Sequence, residues 1–236
     1  MSKAYLPSPA TRTRVRRPGR SRRSPVQDRS RQKVAWILEG ATRVFERDGL
    51  RGTTNDIAKE AGVSVGTLYE YFPDKFALLE ALANQHLDRA TEMANSLLSR
   101  WNQNPPRTTG AIVSDVVGLI LRANDDHPAC HRLLSSLSSS FPEVTQRARS
   151  LQDSVVRHLA THLKRLQPSL DSPDQRAAML VTVLASTVHS TIPPVELRCG
   201  PSPRLSTHLE ALASAYLAAP LGSPTPKPRT PLASDR

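Results

Sequence analysis

The segment AGVSVGTLYEYFPDK, residues 61–75, sets two glycines and a proline inside a run whose apolar residues otherwise recur every three or four positions. A strand does not use that period and one continuous helix does not absorb those breakers, which leaves two short helices joined by a tight turn. Gly62 tolerates the left-handed backbone such a turn demands, Val63 plugs the angle between the helices, and Ser64 caps the second one. Residues 65–71 then make about two helical turns. Leu68 and Phe72, four apart, anchor that helix to a core, while Val65, Gly66, Thr67, Tyr69 and Glu70 face outward. Pro73 ends it, and Asp74 caps a following helix that carries Lys75 in its first turn.

The residues on either side extend the pattern. Val34, Ile37, Leu38, Ala41, Val44 and Phe45 mark an amphipathic first helix that Gly49 ends. Thr53-Thr54-Asn55-Asp56 opens a short helix through Ile57, Ala58 and Ala61, with a Thr oxygen accepting from free backbone N–H groups and Asp56 at the positive end of the helix dipole. A short helix that exposes small and hydroxylated groups suits a DNA groove. Small residues permit close approach to base edges, a β-branched methyl meets a thymine methyl, and Thr and Tyr hydroxyls bond bases or phosphates. Lys75 is placed for a phosphate. Glu70 either accepts from cytosine N4 or is a plain exposed acid.

Charge is concentrated before this unit. Residues 1–33 hold eleven Lys and Arg against one acid, Asp28, so they carry +10 of the formal +11. Residues 1–30, with Arg20, Arg22 and Arg23 among Pro and Ser, read as a disordered arm that neutralises phosphates and adds salt-sensitive affinity rather than specificity. The alternative is a solubilising or spurious extension. The Pro-rich stretch 220–236 reads as a floppy tail. No run approaches the roughly 18 apolar residues of a membrane span, so a cytoplasmic chain, associated with the nucleoid when DNA-bound, is expected. Cys130 and Cys199, far apart and outside any C-x-x-C, read as reduced thiols. No P-loop, G-x-S-x-G or H-E-x-x-H pattern appears, so neither catalysis nor a cofactor is expected.

Beyond residue 75 the periodicity stays helical. Phe76, Leu79, Ala83, Leu87, Ala90, Met93, Leu97 and Trp101 lie along one element about 40 Å long. Further helices are expected over 108–123, 129–139, 142–166, 173–192 and 204–219. The last two pair with symmetry mates in a four-helix interface, Leu205, Leu209, Leu212 and Tyr216 recurring at coiled-coil spacing, or else complete a monomer core. Aromatic residues are scarce in this region, which favours an aliphatic or modestly polar small-molecule effector. Trp101, His127, His131, Phe141, His158 and His162 are its candidate contacts. The stretch DDHPACH lacks a structural zinc spacing and reads as a helix start, so no metal site is assigned.

Residues 37–82, ILEGATRVFERDGLRGTTNDIAKEAGVSVGTLYEYFPDKFALLEAL, resemble the N-terminal DNA-binding domain of the TetR/AcrR family of bacterial transcription regulators. TT, IA, AGVS, GTLYEYFPDK and LL occur in that family's order and spacing over about a fifth of the chain. The resemblance implies an all-α homodimer: a three-helix helix-turn-helix domain at 31–77 and a helical effector-binding and dimerisation domain at 78–219. It implies a repressor that holds a palindromic double-stranded DNA operator until an effector releases it. By position, Val65, Gly66, Thr67 and Tyr69 face bases or the nearby backbone, with Ser64 at the start of the same helix. Tyr71, Lys75 and Thr54 fall where the family touches phosphates. A general DNA-compacting protein working through the basic arm is the other reading.

Overall fold

The computed structural model describes residues 25–124, 127–190 and 203–220, and every regular element among them is helical. In chain order these are α1 (Pro25–Asp48), α2 (Thr54–Glu60), α3 (Val65–Tyr71), α4 (Lys75–Gln103), α5 (Thr109–Ala123), α6 (Pro128–Ser136), α7 (Pro142–Leu166), α8 (Pro173–Ser190) and α9 (Pro203–Ala218). The helix ends follow local chemistry. Thr53, Ser64, Asp74 and Thr108 each accept a backbone N–H three residues on, as N-caps should. Pro128, Pro142 and Pro173 sit at helix starts, where a missing N–H costs nothing.

Two apolar cores organise the helices. The first gathers Ile37, Val44 and Phe45 of α1, Ile57 of α2, Leu68 of α3 and Leu78, Leu79 and Leu82 of α4. It also takes in Cys130 and Leu134 of α6 and Phe141. The second joins α4 from Ala94 onward to α5, α7, α8 and α9, with Trp101, Ile112, Leu159 and Leu163 fully buried at its centre. Packing therefore runs straight across the boundary expected at 77/78, because α4 serves both cores and α6 packs with the first.

Several expectations need correction. The arm expected to be disordered over 1–30 is helical from Pro25, and Ser30 already packs within reach of α3. Residues 1–24, Arg20, Arg22 and Arg23 included, lie outside the described residues, as do Cys199 and 221–236. Phe76, expected in the buried stripe of α4, is 56% exposed, because the stripe begins at Leu78 and Leu79. In α9 the buried face is Leu209, Ala213 and Leu217, at strict four-residue steps, and Leu212 is left 66% exposed.

Arg176 of α8 carries a role the apolar pattern hid. It is 1% exposed, paired with Asp171 at 2.6 Å, and donates to the carbonyls of Tyr216 and Ala219 at 2.8 and 2.7 Å. It thus satisfies the last carbonyls of α9 and fixes that helix against α8.

Candidate nucleic-acid interface and junction cavity

The α2–α3 pair is held from both ends. Thr53 and Asp56 form a reciprocal capping box, with Thr53 N–H donating to Asp56 Oδ2 at 3.0 Å and Asp56 N–H to Thr53 Oγ1 at 3.2 Å. The Thr53 hydroxyl, which donates to Asp56 Oδ2 at 2.6 Å, and then the Thr53 N–H hold the Asp56 carboxyl below its ordinary value. At the bend Gly62 adopts φ +67°, and its N–H and that of Val63 donate back to Lys59 and Ala58. Gly40 of α1 lets this corner come close, since a Cβ there would lie 2.9 Å from the Ala61 nitrogen. Arg43 bridges Glu39 and Glu60 across the α1–α2 surface and its pKa is raised, first by the Glu39 hydrogen bond.

On this frame α3 buries Leu68 and turns a surface of small and hydroxylated groups outward. Val65, Gly66 and Tyr69 are exposed and Thr67 is half-buried. Ser64 Oγ accepts from Thr67 N–H at 3.0 Å and donates to Thr67 Oγ1 at 2.9 Å, so the cap and the helix face form one polar unit. Tyr69, 48% exposed, shares a 3.0 Å hydroxyl hydrogen bond with Thr54, tying the start of α2 to the face of α3. Glu70 is exposed beside it.

Gly66 is the most informative residue on this face. Its backbone does not need glycine, and an added Cβ would meet only Ser64 Oγ at 3.9 Å, an ordinary contact. Nothing inside the protein uses the missing side chain. The space it leaves opens outward.

All three expected phosphate contacts are engaged within the protein, Thr54 through its bond to Tyr69. Lys75 Nζ donates to the carbonyls of Leu50 and Gly52 at 2.8 and 3.4 Å, closing the turn after α1. Tyr71 is half-buried and its hydroxyl accepts from Ser30 Oγ at 3.2 Å.

The six effector candidates do not gather in one place. His131 and Phe141 line a cavity of about 430 Å³ between the two cores, walled by α4, α5, α6, α7 and α8. His127 and His131 line a second, smaller chamber beside it. Trp101, His158 and His162 line neither. Trp101 is a core residue whose indole N–H donates to Asp115 at 2.7 Å, with His162 edge-on to its ring at 5.1 Å. Burial pushes His162 toward its neutral form. His158 bonds the Ser154 carbonyl on its own helix. The helical period shows that these side chains recur, not which neighbour each one meets, and that is why the group dispersed. The cavity instead draws on His86, Asn124, Arg149 and Gln152, which carried no local signal because a void is defined by five helices at once.

An all-helical chain with a bent α2–α3 pair, its second helix exposed and anchored by one buried leucine, is a helix-turn-helix protein with a helical body packed against it. Residues 37–82 match the profile "Bacterial regulatory proteins, tetR family", and residues 108–217 match "Tetracyclin repressor-like, C-terminal domain". The chain belongs to the TetR family of bacterial regulatory proteins. It is 34% identical over 109 residues to the nucleoid occlusion factor SlmA of Haemophilus influenzae strain PittGG, covering 45% of this chain and 47% of that protein. It is 30% identical over 135 residues to the HTH-type transcriptional regulator EthR of Mycolicibacterium smegmatis, covering 57% and 58% respectively. The chain thus spans about half the length of the curated relatives it matches. Among solved structures, the TetR family regulator PfmR of Thermus thermophilus superposes with a TM-score of 0.58 at 17% identity, over 77% of this chain and 96% of that one.

Proposed function

We propose that this chain is a DNA-binding transcription regulator that docks α3 in the major groove as a homodimer and leaves its operator when a small molecule fills the junction cavity. The observation that carries the reading is Gly66: a missing side chain with no internal use, on an exposed face of Val65, Thr67 and Tyr69, is the shape a base edge requires. Ser64 and Thr54 supply hydroxyls at its border, and Lys75 and Tyr71 act mainly by holding the turn and α1 in register with α3. Arg29 and Arg31, exposed on α1, continue the basic arm toward the same duplex.

A palindromic operator demands two copies about one helical turn apart, roughly 34 to 36 Å. The outward faces of α8 and α9 fit a symmetric contact. Met179, Val183 and Leu212 are exposed there among Ala178, Ala211 and Ala215, small enough for helices to approach closely. Repression follows where the operator overlaps a promoter.

Selecting random duplexes on purified protein at moderate salt, then titrating the enriched fragment, tests the reading. Thr67→Ala and Tyr69→Ala should each weaken operator binding by about 1–3 kcal/mol while leaving non-specific binding unchanged. A wild-type chain that holds operator and random DNA equally would instead be a compacting protein working through its basic arm.

A further inference from the structure

The junction cavity has two chambers with opposite chemistry. The larger, about 430 Å³, is walled mainly by aliphatic and small side chains such as Leu87, Ala90, Val116, Leu119 and Val155. The smaller, about 70 Å³, is ringed by Arg89, Arg122, His86, His127 and His131. The two share His86, Asn124 and His131 in their common wall. Among the described residues, no Asp or Glu lines either chamber. Asp125 and Asp126, next in the chain, lie outside the described residues.

Size and charge together restrict the occupant. At about 30 Å³ per water-sized group, the apolar chamber takes on the order of a dozen heavy atoms and the basic chamber about two, the size of a carboxylate rather than a nucleotide. A cationic ligand would face the Arg122 guanidinium. A flat polycyclic one would find a single phenyl ring, Phe141, among the apolar walls.

Asn124 adds a requirement. It is 8% exposed, its Nδ2 donates to the Ile120 carbonyl at 2.6 Å, and its Oδ1 is buried with no hydrogen-bond partner. An acceptor in that wall calls for a donor on the ligand close to its anionic head.

We propose that the junction cavity binds a medium-chain hydroxylated carboxylate, with its aliphatic chain in the apolar chamber, its acid group beside Arg122, and a hydroxyl near the acid donating to Asn124. This rests on the reading of the chain as an effector-controlled regulator. Occupancy ties the two cores together, because Ala83, Leu134 and Phe141 of the first core and Val116, Val155 and Val181 of the second all line the larger chamber.

Calorimetric titration of the full-length protein with 3-hydroxydecanoate, decanoate, decan-1-ol and decylamine tests it. Decanoate should bind about tenfold more tightly than decan-1-ol, 3-hydroxydecanoate several-fold more tightly still, and decylamine not at all. Arg122→Gln should weaken decanoate about tenfold and leave decan-1-ol unchanged, a split that general misfolding would not produce. Asn124→Leu should erase only the advantage of the hydroxyl. Equal affinities for acid and alcohol, binding of decylamine, or silence with all four probes would overturn the proposal. Gel retardation on the same preparation separates the two readings. Operator binding without carboxylate binding sinks the ligand assignment alone, whereas carboxylate binding by a chain that retains no DNA fragment sinks the regulator.

Discussion

The core around Ile37, Phe45, Ile57 and Leu68 and the core around Trp101, Ile112, Leu159 and Leu163 are closed in different ways. The first is shut by short-range devices: a capping box at Thr53 and Asp56, a glycine bend at 62, a hydroxyl cap at Ser64, and Lys75 pinning the turn carbonyls. The second is shut by long helices and by one buried cation, Arg176, at the end of α9. Each short helix of the head has its ends fixed within a few residues, so the face of α3 is rigid. The body leaves a void of about 430 Å³ where it meets the head. α6 belongs to both stories, since Cys130 and Leu134 pack in the head core while the helix walls the cavity.

If the cores are joined through α4 and α6, damage to either should be felt by both. Leu68→Ala and Leu159→Ala each empty a fully buried site and should cost about 2–5 kcal/mol. Both should lower one common melting transition followed by helical circular dichroism. Two separate transitions, with each variant moving only its own, would break the comparison and make the head an independent unit.

A smaller effect isolates the joint. Glu46 of α1 accepts from the N–H groups of Ala129 and Cys130 at 3.2 and 2.7 Å, so a head residue caps the first turn of α6. Burial first, and then the Glu46 charge, push the Cys130 thiol up to about 12. With an unfolded value near 8.5, the neutral thiol stabilises the fold below that pH, and the contribution is lost as pH rises from roughly 8.5 toward the folded value. At pH 8 alkylation of Cys130 therefore requires α6 to open. In a Cys199→Ser background, Glu46→Ala should lose about 1–2 kcal/mol of cap and speed iodoacetamide labelling about 5- to 30-fold. Labelling at the rate of a free thiol before the substitution, or no change after it, would show that α6 is not latched to the head.

The same contrast explains what the residues disclose in order. Caps, the positive-φ glycine and the apolar anchors Leu68 and Phe72 act over three or four positions, so the α2–α3 unit and its exposed face are readable from residues 53–75 alone. Helix lengths in the body are readable too, as apolar periodicity placed α7 over 142–166. Partnership is not. Trp101 looks like a cavity aromatic until Asp115 takes its N–H, and Lys75 looks like a free phosphate contact until the Leu50 carbonyl binds it. Arg176, which no local pattern singles out, finds its carbonyl partners only at the end of α9. Each outcome depends on a segment 14 to 43 residues away.

The smallest effect tests whether the head's rigidity resides in its caps. Thr53→Ala removes the acceptor for Asp56 N–H and the hydroxyl that donates to Asp56 Oδ2 at 2.6 Å, and should cost about 1 kcal/mol. The Asp56 carboxylate, held below its ordinary 3.8 by those bonds, stabilises α2 fully above its unfolded pKa and loses that contribution as pH falls through the lower folded one. Melting midpoints of the wild type and Asp56→Asn should therefore differ most above roughly pH 5 and converge below pH 4. Because Thr54, the first residue of α2, shares a hydroxyl bond with Tyr69, the same variants should loosen the α3 face and weaken operator binding in step with the cap. A gap that stays constant across that range, or operator affinity that ignores it, would move the rigidity of α3 from its caps to the Leu68 anchor.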